Sequence, residues 1–271
     1  MKRSINQFTR LLTNPSRYLN SFYLVMTKLK NPIKVLRRYV LVEEGRETFF
    51  FKDGTQISIT EHKEDLQVLF SIFFHKVYGE IEKGQTIMDI GGNFGSFTLF
   101  AAQQPDTRIF TFEPSPVNFE LLEKNVKSNS FPGNVTLVKK AVSSGRGTVK
   151  MATNRGGYST IVSHHQENDS RDNDIFEEVE TITLTDAFNE NGIEFCDLMK
   201  IDCEGSEYDI LYSASKDIFS KIGEIRMECD EIDNDRRNPE AMIKFLEEKG
   251  FKVVPSDKGI INAKSSNTRK K

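Results

Sequence analysis

Long apolar runs are missing from this chain. No stretch of about 18 apolar residues occurs, so no segment reads as a membrane-spanning helix. There is also no short apolar core behind a basic start of the kind that directs secretion, and a cytoplasmic location is expected. Cysteine is scarce. The three present, Cys196, Cys203 and Cys229, fall in or beside predicted core segments without C-x-x-C spacing. They read as small buried hydrophobes in a reducing compartment. At 271 residues the chain needs no disulfide or metal staple, being long enough to bury the core of one α/β domain with an extension.

Acidic residues are absent from the first 42 positions. That segment carries nine cations (Lys2, Arg3, Arg10, Arg17, Lys28, Lys30, Lys34, Arg37 and Arg38), which leaves the remainder with 28 basic against 40 acidic residues behind an overall charge of only −3. Apolar residues recur in it at helical spacing, Ile5, Phe8 and Leu12 and then Leu19, Phe22 and Met26. Asn14-Pro15 separates two helices as cap and first-turn proline. Two readings stay open: an amphipathic basic element drawn to anionic lipid or an acidic partner, or a helical cap that closes the acidic body or forms a homodimer interface.

The G-x-G-x-x-G pattern of dinucleotide folds is absent as well. In its place Asp89-Ile90-Gly91-Gly92-Asn93-Phe94-Gly95 follows the apolar Thr86-Ile87-Met88 and precedes a helical run from Ser96 to Gln104. A carboxylate ending a buried strand and a glycine turn opening a helix are what a doubly wound sheet uses to hold a nucleotide-like ligand. Asn93 occupies the position where the dinucleotide pattern requires glycine, which disfavours NAD. An acid at the start of the turn repels a diphosphate but attracts the ammonium and sulfonium of S-adenosylmethionine. The next strand, Arg108 to Glu113, ends in a carboxylate placed to accept both ribose hydroxyls.

Along the chain, Arg46–Phe51 and Gln56–Thr60 flank the turn Lys52-Asp53-Gly54-Thr55 as a hairpin. Leu66, Leu69, Phe70, Phe73 and Val77 share a helical face, which predicts a helix over 63–81 packed on the sheet ahead of the glycine motif. Strands and helices then alternate through Lys139, the pattern of a parallel sheet covered on both faces. Gly147–Met151 and Val179–Leu184 read as strands around a polar loop. Its small and hydroxyl residues, Gly156 to Thr160, are candidates to line a polar substrate. His164 and His165 read as solvated loop residues, and Glu167 to Asp174 as a surface insertion.

A second segment, Leu198-Met199-Lys200-Ile201-Asp202-Cys203-Glu204-Gly205-Ser206-Glu207, breaks the rule that a central parallel strand is apolar on both faces. Lys200 and Asp202 stand two apart and so share one face, where two charges cost several kcal/mol unless they pair or act on a ligand. This marks the chemical centre. Ile222–Glu228 is the next strand and places another carboxylate at its tip. Helix Pro239–Lys249 and strand Phe251–Val254 complete the sheet. The domain expectation is a basic helical extension over 1–45, a catalytic domain over 46–257 and a basic tail over 258–271.

In these segments the chain resembles the FkbM family of S-adenosylmethionine-dependent methyltransferases. The resemblance covers roughly residues 50 to 255 and rests on Asp89–Gly95, Glu113-Pro114, Thr183-Leu184-Thr185-Asp186 and, above all, Lys200-Ile201-Asp202-Cys203-Glu204-Gly205. It implies a seven-stranded, mostly parallel Rossmann-like sheet and transfer of a methyl group to a hydroxyl of a sugar, glycan precursor or related metabolite. It also implies that Asp89, Gly91, Asn93 and Gly95 carry the cofactor's amino-acid end and Glu113 its ribose, with the Lys139–Ala141 strand end, including Ala141, beside adenine.

For the chemistry, Asp202 is the candidate base or substrate-orienting carboxylate. Lys200 is placed to keep it ionised or to stabilise a developing alkoxide. Glu204, Glu207 and Glu228 are an alternative ligand set, with Asp202, for a divalent cation that acidifies the hydroxyl. Competing readings are methylation of nitrogen or of an RNA ribose, and a cofactor-binding scaffold without turnover. The acidic domain argues against a nucleic-acid partner, and intact Lys200, Asp202 and Glu204 argue against a retired enzyme.

Overall fold

The computed structural model describes residues 15–41, 45–131, 133–152, 160–161, 175–255 and 259–266. The chain divides into two compact units, Met1–Lys76 and Val77–Lys271.

In the first unit, helices α1 (Pro15–Lys28) and α2 (Pro32–Leu41) precede the hairpin β1 (Glu47–Phe50) and β2 (Gln56–Ile59), and helix α3 (Lys63–Phe73) follows. Pro15 opens α1 as anticipated, since a first-turn proline gives up only an amide that the helix leaves unbonded anyway. Val25 and Leu29, one turn apart, are fully buried. Leu29 bridges Phe51, Lys30 N donates to the Phe50 carbonyl at 2.8 Å, and Lys52 N donates to the Lys28 carbonyl at 2.8 Å. The basic helices are therefore built onto the hairpin, which lies in their unit and outside the domain that the sequence reading assigned it to. Helix α3 stops at Phe73 and also belongs here, with Phe73 5.0 Å from the Phe51 ring. Ile5, Phe8, Leu12 and Asn14 lie outside the described residues.

The second unit holds a seven-stranded sheet built from β3 (Thr86–Ile90), β4 (Arg108–Phe112), β5 (Asn134–Val138), β10 (Leu198–Ile201), β11 (Glu224–Glu228), β12 (Phe251–Pro255) and β13 (Ile260–Ser265), in the order β12-β13-β11-β10-β3-β4-β5. Strands β11, β10, β3, β4 and β5 run parallel, while β13 is antiparallel to both of its neighbours. Helices α4 (Ser96–Ala102), α5 (Pro116–Lys127), α7 (Glu207–Ser213) and α8 (Pro239–Glu248) follow β3, β4, β10 and β11. This is the doubly wound, mostly parallel arrangement that the alternating pattern required.

A separate four-stranded sheet, β6-β9-β7-β8, comprises β6 (Ala141–Ser143), β7 (Gly147–Ala152), β8 (Thr160–Ile161) and β9 (Phe176–Thr183). Helix α6 (Leu184–Glu190) leaves β9 through a capping box in which Thr183 and Asp186 satisfy each other's backbone amides. The Thr-Leu-Thr-Asp segment is thus a helix start.

Two expectations are corrected. The supposed tail contains β13, whose Ile260, Ile261 and Ala263 are buried in the sheet between β11 and β12. Its alternation is short and its composition polar, and pairing on both sides makes it a strand. Ala141 does not end β5. It opens β6 and packs with Met151 and Val179 inside the smaller sheet. Within the loop read as a substrate lining, Gly156 to Ser159, His164, His165 and Glu167 to Asp174 lie outside the described residues. No helix of the described residues is long and apolar enough to cross a membrane.

Candidate active site

The C-terminal ends of β3, β4 and β10 lie side by side. Parallel pairing sets Lys200 opposite Asp89 across β10 and β3, and Asp89 opposite Thr111 across β3 and β4, so their side chains emerge on one face of the sheet. Lys200 and Asp89 are both buried, at 3% and 0% exposure. Their charges meet: Lys200 Nζ lies 3.1 Å from Asp89 Oδ1. The other Asp89 oxygen accepts from Thr98 Oγ1 at 2.7 Å, and the Thr98 and Thr111 hydroxyls are 2.8 Å apart. Burial pushes the Asp89 carboxyl above its ordinary value, opposed by Lys200 and Thr98. For Lys200, burial works against the charge, but Asp89 and Asp202 more than offset it and hold the ammonium above its usual range.

This pair organises the glycine turn. Lys200 Nζ donates to the Gly91 carbonyl at 2.6 Å, and Gly91 sits at φ +84° with a Cβ position only 2.0 Å from the Asp202 carbonyl oxygen. Only glycine fits where the β3 turn passes the end of β10. Asn93 is also left-handed, at φ +50°, a conformation that its short polar side chain tolerates. That side chain accepts from Phe94 N at 2.8 Å. Gly95 starts α4 at φ +94° against Leu122.

Glu113, at the tip of β4, joins the same turn. Its Oε2 accepts from Asn93 N at 2.7 Å and its Oε1 from Ser115 N at 2.9 Å. Burial raises its carboxyl to about 7 against the pull of those two amides. The two hydrogen bonds leave half of the carboxylate's accepting capacity for a ligand such as a ribose diol. The turn and Glu113 therefore fit the nucleoside cofactor inferred from sequence. Asp89 gives Oδ2 to Thr98, while its buried Oδ1 faces the Lys200 ammonium at 3.1 Å and accepts no hydrogen bond among the described residues.

Asp202 lies just beyond β10, with its side chain 31% exposed. Its Oδ2 accepts from the Tyr78 hydroxyl at 2.8 Å and lies 3.8 Å from Lys200 Nζ. Its Oδ1 has no hydrogen-bond partner among the described residues. Tyr78 escaped the sequence reading. It is buried, stands edge-on to Phe97 with centroids 5.6 Å apart, and has Lys200 Nζ 5.7 Å from its ring centre. Burial and the nearby Asp202 push its phenol well above the ordinary range, so it stays a neutral donor. Arg226 on β11 fixes the Tyr78 backbone by donating to the carbonyls of Tyr78 and, at 2.8 Å, of Glu80.

More carboxylates gather beyond Asp202. Glu204, at φ +51°, is pushed up to about 8 by burial and then by Asp202, Asp230, Glu228 and Glu207. Glu207 is 2% exposed and accepts from Cys203 N at 2.6 Å, and burial raises it to about 7. Glu228 is raised to about 7 by the surroundings of its carboxyl and by Asp202 and Asp230. Among the described residues no three His, Cys, Asp or Glu side chains are arranged to hold a metal ion. The cation set of Asp202, Glu204, Glu207 and Glu228 is thus without geometric support. The structure brings Asp89, Gly91, Asn93, Gly95, Glu113, Lys200 and Asp202 into one network, with Glu204 electrostatically coupled to it. Ala141 lies in β6 of the smaller sheet, three residues beyond Val138, whose carbonyl accepts from Glu113 N at 3.1 Å.

Comparison with known proteins bears on this network. A model of the methyltransferase FkbM domain matches residues 89–253. Methyltransferase sdnD of Sordaria araneosa is 28% identical over 200 residues, covering 62% of this chain and 74% of its own. The 31-O-demethyl-FK506 methyltransferase FkbM of Streptomyces tacrolimicus is 27% identical over 238 residues, covering 77% and 90%. Among solved structures, a SAM-dependent O-methyltransferase from Thermotoga maritima aligns over 84% of this chain and 96% of its own, at 11% identity and a TM-score of 0.43. The match to the family model spans more than half of the sequence and holds the glycine turn, Glu113 and the Lys200–Glu207 segment, and the chain accordingly belongs to the FkbM methyltransferase family.

Proposed function

We propose that this methyltransferase uses S-adenosylmethionine to methylate a hydroxyl oxygen of a sugar, glycan precursor or related polyhydroxylated metabolite, with Asp202 accepting the proton. The observation that carries the reading is the asymmetry of Asp202. One oxygen is held by Tyr78 beside Lys200, and the other has no partner among the described residues, on a partly exposed carboxylate at the strand tip next to the glycine turn. The relative from Streptomyces tacrolimicus, by its name, acts on a 31-O-demethyl compound, which favours oxygen as the acceptor atom.

In this reading the turn at Gly91, Asn93 and Gly95 and the free lone pairs of Glu113 hold the cofactor, which supplies a methyl group on a sulfonium. Asp202 Oδ1 accepts the acceptor's O–H proton as the new C–O bond forms and the C–S bond breaks. Orientation is the larger contribution, up to about 7–11 kcal/mol in favourable intramolecular cases. Proton removal adds about 10²- to 10⁴-fold. Lys200, shielded from solvent, donates to the Gly91 carbonyl and pairs with Asp89, and so keeps the turn and Asp202 in register.

The direct test is incubation of the full chain with methyl-labelled S-adenosylmethionine and a panel of glycans and polyhydroxylated metabolites, with the labelled position read by mass spectrometry and NMR. Label on oxygen supports the proposal. Label found on nitrogen alone, or on RNA ribose alone, would replace it.

A further inference from the structure

Among the described residues, the broad apolar stripe of helix α1 is covered on one side only. Val25 and Leu29 seal the inner face at 0% exposure. Phe22 and Met26, also one turn apart, are left 51% and 37% exposed, with Tyr23 between them at 64% and Ile33 at the start of α2 at 75%. Folding normally hides such side chains, and scattered single exposures need no explanation. These four lie within twelve residues of one another. Lys28, Lys30, Lys34 and Arg37 are exposed in the same stretch. Lys34 is paired with Glu47 at 2.5 Å. Residues 1–42 contain nine cations and no acid.

We infer that this face is a docking surface for an anionic lipid bilayer, with Phe22, Tyr23, Met26 and Ile33 entering the headgroup boundary and the flanking lysines resting on the charged surface. Aromatic and apolar side chains beside long cationic ones match that boundary, where basic residues keep their charge in the headgroups and bury their stems. Charge selects this occupant over a second copy of the chain. A two-fold contact through the same face would set one cationic helix pair against another, and like charges at contact distance repel. Binding here calls for no methyl transfer, so it stands or falls apart from the proposed reaction.

The chain has no tryptophan, which makes a direct probe available. In Phe22→Trp the indole is the only one in the protein. The full chain should float with vesicles of phosphatidylcholine mixed with phosphatidylserine and stay behind with phosphatidylcholine alone, and added salt should weaken the binding. The Phe22→Trp emission should move to the blue with the anionic vesicles and be quenched by brominated lipid. Phe22→Ser/Met26→Ser should lower vesicle affinity at least about tenfold with unchanged circular dichroism. Val254→Ser, at an exposed apolar position of the other unit, should change nothing.

Failure of the full chain to float with anionic vesicles overturns the inference. So does binding that leaves the indole unquenched, or that survives the double substitution. A concentration-dependent dimer that Phe22→Ser/Met26→Ser dissolves, without vesicle binding, would assign the face to a second copy instead. Should the serine variant fail to fold, the quenching of Phe22→Trp decides alone.

Discussion

Lys200 and Asp89 form a buried ion pair, Nζ to Oδ1 3.1 Å, at the junction of β10 and β3, and the same ammonium holds the carbonyl of Gly91. The glycine turn after β3 thus hangs from a lysine that belongs to β10. Removing one partner of such a pair strands the other in a site without water. Asp89→Asn is expected to cost about 3–5 kcal/mol of stability, and Lys200→Met a similar amount. The double variant should lose clearly less than the sum of the two, since neither charge is then left alone. Denaturant unfolding of the four proteins checks this, and additive losses would show that the two groups do not depend on each other.

Asp202→Asn keeps the shape of the side chain but cannot take up the hydroxyl proton. Turnover should fall at least about 10²-fold while cofactor affinity changes only a few-fold. Chelation with EDTA should leave wild-type activity intact. Normal turnover in the variant would remove Asp202 from the proton transfer, and activity lost to EDTA and restored by magnesium would make it a metal ligand.

Tyr78→Phe deletes one hydroxyl, the donor 2.8 Å from Asp202 Oδ2. A hydrogen bond to a charged group is worth about 1.5–3 kcal/mol, so kcat should drop about 10- to 100-fold with KM for the cofactor nearly unchanged. Added to Asp202→Asn, the change should cost little more, because both act through one carboxylate. Steady-state kinetics of the single and double variants read this directly.

Glu207 gives a pH signature. Its folded value of about 7 lies above the ordinary 4.5, so the folded state holds the proton more tightly than the unfolded chain. The resulting stability is fully present below about 4.5 and is lost as pH rises through about 7. Glu113, Glu204 and Glu228 are raised in the same direction, and wild-type stability should fall across that window. Glu207→Gln mimics the protonated group and still offers Cys203 N an acceptor. It should flatten the fall by up to about 3 kcal/mol, seen as a gain over wild type near about pH 8 and little difference near about pH 4.5. Unfolding free energies at the two pH values decide it.

Cofactor affinity tests Glu113. Glu113→Ala removes a carboxylate that braces Asn93 N and Ser115 N as well as any ribose. Binding of S-adenosylhomocysteine should weaken by about 1.5–3 kcal/mol in isothermal titration. Unchanged affinity in a folded variant would make Glu113 purely a brace of the turn.

Local order in the sequence was enough for the parts of this site that lie within one strand and its turn. Asp89, the glycines and Asn93 were legible because a strand tip, a tight turn and a helix start impose residue types at fixed short spacings. Lys200 and Asp202 were legible because two charges on one face of an otherwise apolar strand contradict burial unless they meet a partner. The partner itself lay beyond reach. Tyr78 meets Asp202 across 124 positions, and no local pattern marks a tyrosine for that contact. The fold also decided that Asp89 would lie between Lys200 and Thr98 and that Ala141 would open a different strand. Residues 260–265 became the antiparallel strand between β11 and β12, because hydrogen bonding on both edges outweighs a weak intrinsic preference. The amphipathic character of 15–41 was plain from periodicity, but how much of the apolar stripe would be covered was settled only by tertiary packing, which buries Val25 and Leu29 and leaves Phe22 and Met26 exposed. Periodicity records how side chains are spaced along a helix, and only packing against other elements determines which of them lose contact with solvent.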